Sequence, residues 1–94
     1  MNDLASVRAI VYGRVQGVFF RAFVSKKARG LDLTGYVRNL PDGNAIEIHA
    51  EGERKKLEKL VKNLESGPVG AVVKKVVTTW SKYGGLYLKF NVKY

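Results

Sequence analysis

The sequence predicts an α+β sandwich: a mostly antiparallel sheet with two helices packed on one of its faces. Three observations lead there. Two segments carry a single apolar stripe at helical spacing; short β-branched or alternating runs surround them in the order strand, helix, strand, strand, helix, strand; and 94 residues suffice for one two-layer core. One domain over residues 1–94 is expected, with a short extra strand at the C-terminal end.

The first strand is "SVRAIVY", β-branched and bounded by Gly13. A helix follows from about Arg21 to Arg29, where Phe20, Val24 and Ala28 fall on one face and Gly30 is expected to supply a left-handed stop. "LTGYVRNL" reads as the second strand, and Pro41–Gly43 as a turn, because proline presets its first central residue and glycine accepts positive φ. "NAIEIHAEG" alternates, with Ala45, Glu47, His49 and Glu51 on one face and Ile46, Ile48 and Ala50 on the other. "ERKKLEKLVKNLES" places Leu57, Leu60, Val61 and Leu64 along one helical face, and "GPVG" ends it. "AVVKKVVTTW" reads as a strand, and after "KYGG" the run "LYLKFNVKY" alternates to the end. Two βαβ-type halves with one-sided helices give the ferredoxin-like βαββαβ plan.

Composition excludes several classes of function. No cysteine is present, so a disulfide framework, a thiolate nucleophile and a cysteine-type zinc site are out, and a reducing, cytoplasmic setting is expected. No apolar run approaches the ~20 residues of a membrane helix, and "MNDLASVRAI" has neither the basic nor the apolar part of a secretion signal. No membrane partner is expected. Seventeen Lys and Arg against eight Asp and Glu give a formal charge of +9, which favours anionic partners. RNA-recognition domains share the βαββαβ plan, but they present aromatics on a central strand. "NAIEIHAEG" has none and carries two glutamates, so no nucleic acid is expected.

The connection "GRVQGVFFR" is the first candidate site. A glycine-containing loop between a strand and a helix points backbone N–H groups into its hollow, and the helix head adds partial positive charge. Arg21 lies in the first helical turn, where the dipole disfavours a cation, and a bidentate grip on two phosphate oxygens would give it a reason to be there. The glycine spacing also fits a plain connection with a surface arginine. It is neither a Walker A loop nor a dinucleotide fingerprint, since the lysine and hydroxyl residue of the first and the third glycine of the second are missing. In "GYVRNLPDG", Asn39 precedes a turn, a place where asparagine commonly caps local backbone.

Together, "GRVQGVFFR" and "GYVRNLPDG", followed by "AEGE" and "FNVKY", resemble the acylphosphatase family. The first stretch is similar to the family's glycine, any, valine, glutamine, glycine, valine, any, aromatic, arginine pattern at every position, and the second to its glycine, aromatic, valine, basic, asparagine, three residues, glycine pattern. Ala45 departs from the family's usual valine or isoleucine, a packing change within a strand. The resemblance implies hydrolysis of acyl phosphates to a carboxylate and inorganic phosphate, by a monomer that needs no cofactor and no metal. It also implies the roles. Val15, Gln16, Gly17, Val18, Phe19 and Phe20 would hold the phosphate through loop amides together with Arg21, and Asn39 would orient the attacking water. Gln16, Val18, Phe19 and Phe20 would otherwise shape and anchor the loop. His49, between Glu47 and Glu51, reads as structural or exposed; Trp80 and the tyrosines read as packing residues, with aromatic stacking near the site the open alternative.

Overall fold

Strand alternation decides which residues meet the helices. In β1 (Leu4–Arg14), Val7, Ala9 and Val11 are buried toward them. Val37 of β2 (Thr34–Asn39) and Ile46, Ile48 and Ala50 of β3 (Ala45–Glu53) continue that face. The structure is a computed structural model that describes residues 3–17 and 19–94. Phe20, Val24 and Ala28 of α1 (Phe20–Gly30) and Leu57, Leu60 and Leu64 of α2 (Arg54–Ser66) close the core from above. Each fully buried leucine contributes ~2 kcal/mol. The helical stripes read from the sequence are therefore the packed faces; Val61, at the margin of its stripe, is half-buried.

The sheet is ordered β4-β1-β3-β2-β5, with β4 spanning Val72–Lys82 and β5 Phe90–Lys93. All neighbours are antiparallel except β5, which pairs in parallel with β2. This is the ferredoxin-like α+β arrangement with a short extra strand. Among the described residues no helix is long and apolar enough to cross a membrane.

Three local expectations are corrected. Gly13 does not end β1: it has φ 138° and the β1–β4 register shifts there, so the strand bulges and runs on to Arg14. Gly30 is not the left-handed stop, because Asp32 is, with φ 57°. The Asp32 N–H donates to the Arg29 carbonyl and the Leu33 N–H to the Ala28 carbonyl, the paired bonds of a Schellman ending, and Leu33 and Ala28 share the core. The alternating run from Leu86 is strand only over Phe90–Lys93, with Leu86 and Leu88 exposed.

The segment before β5 is held by a different force. On the sheet face away from the helices, the Glu51 carboxylate accepts hydrogen bonds from the Ser6 hydroxyl and from the Gly84 and Leu86 N–H groups, at 2.8 and 3.0 Å for the two amides. Glu51 is 1% exposed, so the polar face read for β3 is covered rather than open. The neighbouring Glu47, also buried, accepts from Arg8 and Arg38 at 2.6 Å each and from the Tyr36 hydroxyl. Burial pushes both carboxyls up, but these donors outweigh it and hold both below the usual carboxylate range.

A depressed folded-state pKa gives stability that is present above the unfolded value, ~4.3 for glutamate, and is lost as pH falls through the folded one. Thermal melts are expected to be level near neutrality and to drop below about pH 4. Glu51→Gln is expected to cost about 1 to 3 kcal/mol at pH 7 and to flatten that acid limb, measured by urea unfolding across pH.

Candidate active site

The end of β1 and the start of α1 break ordinary local rules in succession. Gly13 is at φ 138°, where a Cβ would collide with the Val72 carbonyl oxygen, and its N–H donates to the Asn44 carbonyl at 3.0 Å. Gly17 has φ 73° with open space around it, and Phe19, the N-cap of α1, is left-handed as well at φ 59°. No side chain caps α1, and its first turn has no acidic residue. Its leading N–H groups therefore face out of the helix head without a side-chain acceptor.

A cleft of about 300 Å³ opens there, lined by Val15, Gly17, Phe19, Phe20, Arg21, Ala22, Asn39, Val92 and Tyr94. Six of the predicted site residues meet in it: Val15, Gly17, Phe19, Phe20, Arg21 and Asn39. Val15 and Phe20 are buried and form its base. Val18 lies outside the described residues. Gln16 is the exception in direction, because its side-chain amide turns away from the cleft and donates to the Leu40 and Ala45 carbonyls at 2.9 and 2.8 Å.

Two polar side chains define the chemistry. One Arg21 Nη donates to the Lys93 carbonyl at 3.2 Å, and the guanidinium carbon stands 4.7 Å from the centre of the Tyr94 ring. Among the described residues Arg21 has no carboxylate partner. Asn39 ends β2, and its Oδ1 is buried without any hydrogen-bond partner among the described residues. An orphaned buried acceptor costs ~1 to 3 kcal/mol unless something donates to it, so a donor could be accommodated beside Asn39, and the Arg21 guanidinium could pair with an anion. Neither aspartate nor glutamate lines the cleft.

His49 is on the far face of the sheet, where its Nδ1 faces the Tyr87 hydroxyl at 3.2 Å and its ring packs edge-on against Tyr36. Tyr94 takes the stacking alternative rather than the packing one, being fully exposed with its ring against Arg21. The alternating C-terminal run was the available signal, but the parallel β2–β5 pairing that brings Tyr94 to α1 joins residues remote in sequence.

Fold and cleft define a ferredoxin-like α+β domain with a cleft at the head of the first helix. The acylphosphatase family model matches residues 7–92, and the chain belongs to the acylphosphatase family. An acylphosphatase from Anaeromyxobacter is 45% identical over all of this chain and all of its own. The crystal structure of acylphosphatase from Bacillus subtilis superposes with a TM-score of 0.91 at 37% identity, covering 98% of this chain and 100% of that one. The structure of an acylphosphatase from Coxiella burnetii gives 0.90 at 38% identity, covering 97% and 94%. These relationships support an enzyme of acyl phosphate hydrolysis.

Gln16 fastens the loop of one catalytic candidate to the turn beside the other. Gln16→Leu is expected to lower kcat/KM about tenfold or more, since small misplacements of reacting groups are costly, while the melting temperature falls by roughly 10 °C, about what two lost hydrogen bonds produce in a domain of this size. Steady-state kinetics and a thermal melt on the same sample check this.

Proposed function

We propose that this cleft binds the phosphate of an acyl phosphate through Arg21 and the backbone amides of residues 15–20, and that Asn39 positions the water that attacks phosphorus. The observation that carries the reading is the buried, unpartnered Asn39 Oδ1 in the same cleft as an arginine without a carboxylate partner. A water donating to that oxygen has its own lone pair free to attack. The new bond forms between the water oxygen and phosphorus. The bond from phosphorus to the acyl oxygen breaks, and its electron pair leaves with the carboxylate. The proton lost by the water passes to a phosphate oxygen, so the products are a carboxylate and inorganic phosphate.

This chemistry asks little of the protein in acid or base strength. A carboxylate is a good leaving group, so no strong general acid is required, and positioning with charge stabilisation supplies the acceleration. The cleft offers those two things. Arg21 can fork onto two phosphate oxygens, each charge-assisted bond being worth ~1.5 to 3 kcal/mol, while the α1 head attracts negative charge. On this reading neither a metal nor an organic cofactor takes part.

Turnover of benzoyl phosphate in EDTA tests the assignment. Arg21→Ala is expected to lose at least about a hundredfold in kcat/KM, together with competitive inhibition by inorganic phosphate. Near wild-type turnover in that variant would sink the assignment. Asn39→Ala is expected to lose about a hundredfold in kcat with little change in KM, because water placement matters in the transition state more than in binding. An effect confined to KM would remove Asn39 from the water-positioning role.

A further inference from the structure

We propose that the mouth of the cleft is a seat for the acyl group, bordered by the side chains of Phe19 and Tyr94, and that it selects flat, apolar acyl bodies over small ones. The inference rests on the acyl phosphate reading above and extends it to the part of the substrate that leaves.

The position of the acyl group follows from where the donors are. Arg21, Asn39 and the head of α1 line the same cleft as the buried Val15 and Phe20. The non-bridging phosphate oxygens bind there because only they can use those donors, so the bridging oxygen and its acyl group point toward the mouth. What borders the mouth is aromatic: Phe19 is 86% exposed and Tyr94 100% exposed. Ala22 and Val92 supply further small apolar lining.

Folding gives no reason for Phe19 to be phenylalanine. Its backbone is left-handed at φ 59°, a conformation that glycine or asparagine adopts far more readily than a bulky residue. Among the described residues its ring makes no aromatic pair and no cation–π contact, unlike Phe20 and Phe23, which pack edge to face. A strained residue that leaves its ring in water gains packing only when something covers that ring. Tyr94 is placed for the same encounter. Its ring lies against the guanidinium that would grip the phosphate, so an acyl group leaving the phosphate passes beside it. Aromatic faces and edges favour flat partners at ring-to-ring distances of ~4.5 to 7 Å.

The test compares kcat/KM for benzoyl phosphate and acetyl phosphate and follows their ratio, in which the intrinsic reactivities of the two anhydrides cancel between variants. Phe19→Asn keeps a residue that tolerates positive φ and removes the ring; Phe19→Gly does the same should the asparagine variant fold poorly. Each is expected to lower the benzoyl-to-acetyl ratio about fivefold. Tyr94→Leu also disturbs Arg21 and slows both substrates, but the ratio isolates the contact with the acyl group and is expected to fall by a similar factor. Inhibition by inorganic phosphate reports that each variant retains its phosphate site. A ratio unchanged in either the Phe19 variants or Tyr94→Leu overturns the two-sided seat. Failure of the wild type to turn over both anhydrides overturns instead the acyl phosphate reading, and the seat with it.

Discussion

The carboxamide of Gln16 ties the loop before α1 to the β2–β3 turn just beyond the point where the β1–β3 ladder ends. It donates to the Leu40 and Ala45 carbonyls at the turn end of the β2–β3 hairpin, where Ala45 also accepts from the Leu40 N–H. The loop before α1 and the turn next to Asn39 are therefore fastened together. The ring closes on the other side as well: Asn39 ends β2, β2 pairs with β5, and the Lys93 carbonyl of β5 accepts from Arg21. Arg21 and Asn39 stand on different elements, and their relative position is set by two short bridges, each worth only ~1 kcal/mol in stability. Their value lies in placement, because the chemistry tolerates little displacement of the water from the phosphorus.

The two faces of the sheet divide the charges between folding and chemistry. With a formal charge of +9, carboxylates are scarce, and two of them are spent beneath the open face. Glu47 gathers Arg8 and Arg38, and Glu51 holds the segment before β5 through the Gly84 and Leu86 amides. Both are nearly inaccessible, neither lines the cleft, and both are held ionised by their donors. A carboxylate at the cleft would repel a phosphate dianion in a site of reduced dielectric. With Glu47 and Glu51 turned to the far face and no acidic residue in the first turn of α1, the head of α1 is left as an uncompensated positive end among the described residues.

Where periodicity spoke, the sequence was sufficient. The leucines of α2 and the alternation of β3 depend on neighbours three, four or two residues away, and the packed faces followed directly. Where structure depends on contacts remote in sequence, it was not. The "LYLKFNVKY" run alternates like a strand, yet its first half is drawn off the sheet by Glu51, some 35 residues earlier. Gly30 is a reasonable helix terminator in isolation, but the core contact between Leu33 and Ala28 places the left-handed residue at Asp32 instead. The site was legible as a pair of motifs, which drew attention to Arg21 and Asn39, but the bridge made by Gln16 and the approach of Tyr94 require a register and a parallel pairing that no local pattern encodes.

The two helix heads differ in a way that locates the site without any motif. Both begin with cations and lack a side-chain cap, so both oppose the dipole. At α2 the conflict is resolved within the fold. Arg54 pairs with Glu58 and stacks on Trp80, and Lys56 pairs with Glu53 and Asp32. At α1 it is not: Arg21 finds a carbonyl and an aromatic face but no carboxylate among the described residues, and the residue before the helix is left-handed phenylalanine. Each departure costs about a kcal/mol or so. Local rules broken together, at one place, and left unresolved by neighbouring side chains mark a position completed by something outside the chain. On the proposed reading, a bound anion would resolve the charge conflict by partnering Arg21 and the exposed N–H groups of the helix head, and a water would resolve the remaining one at Asn39.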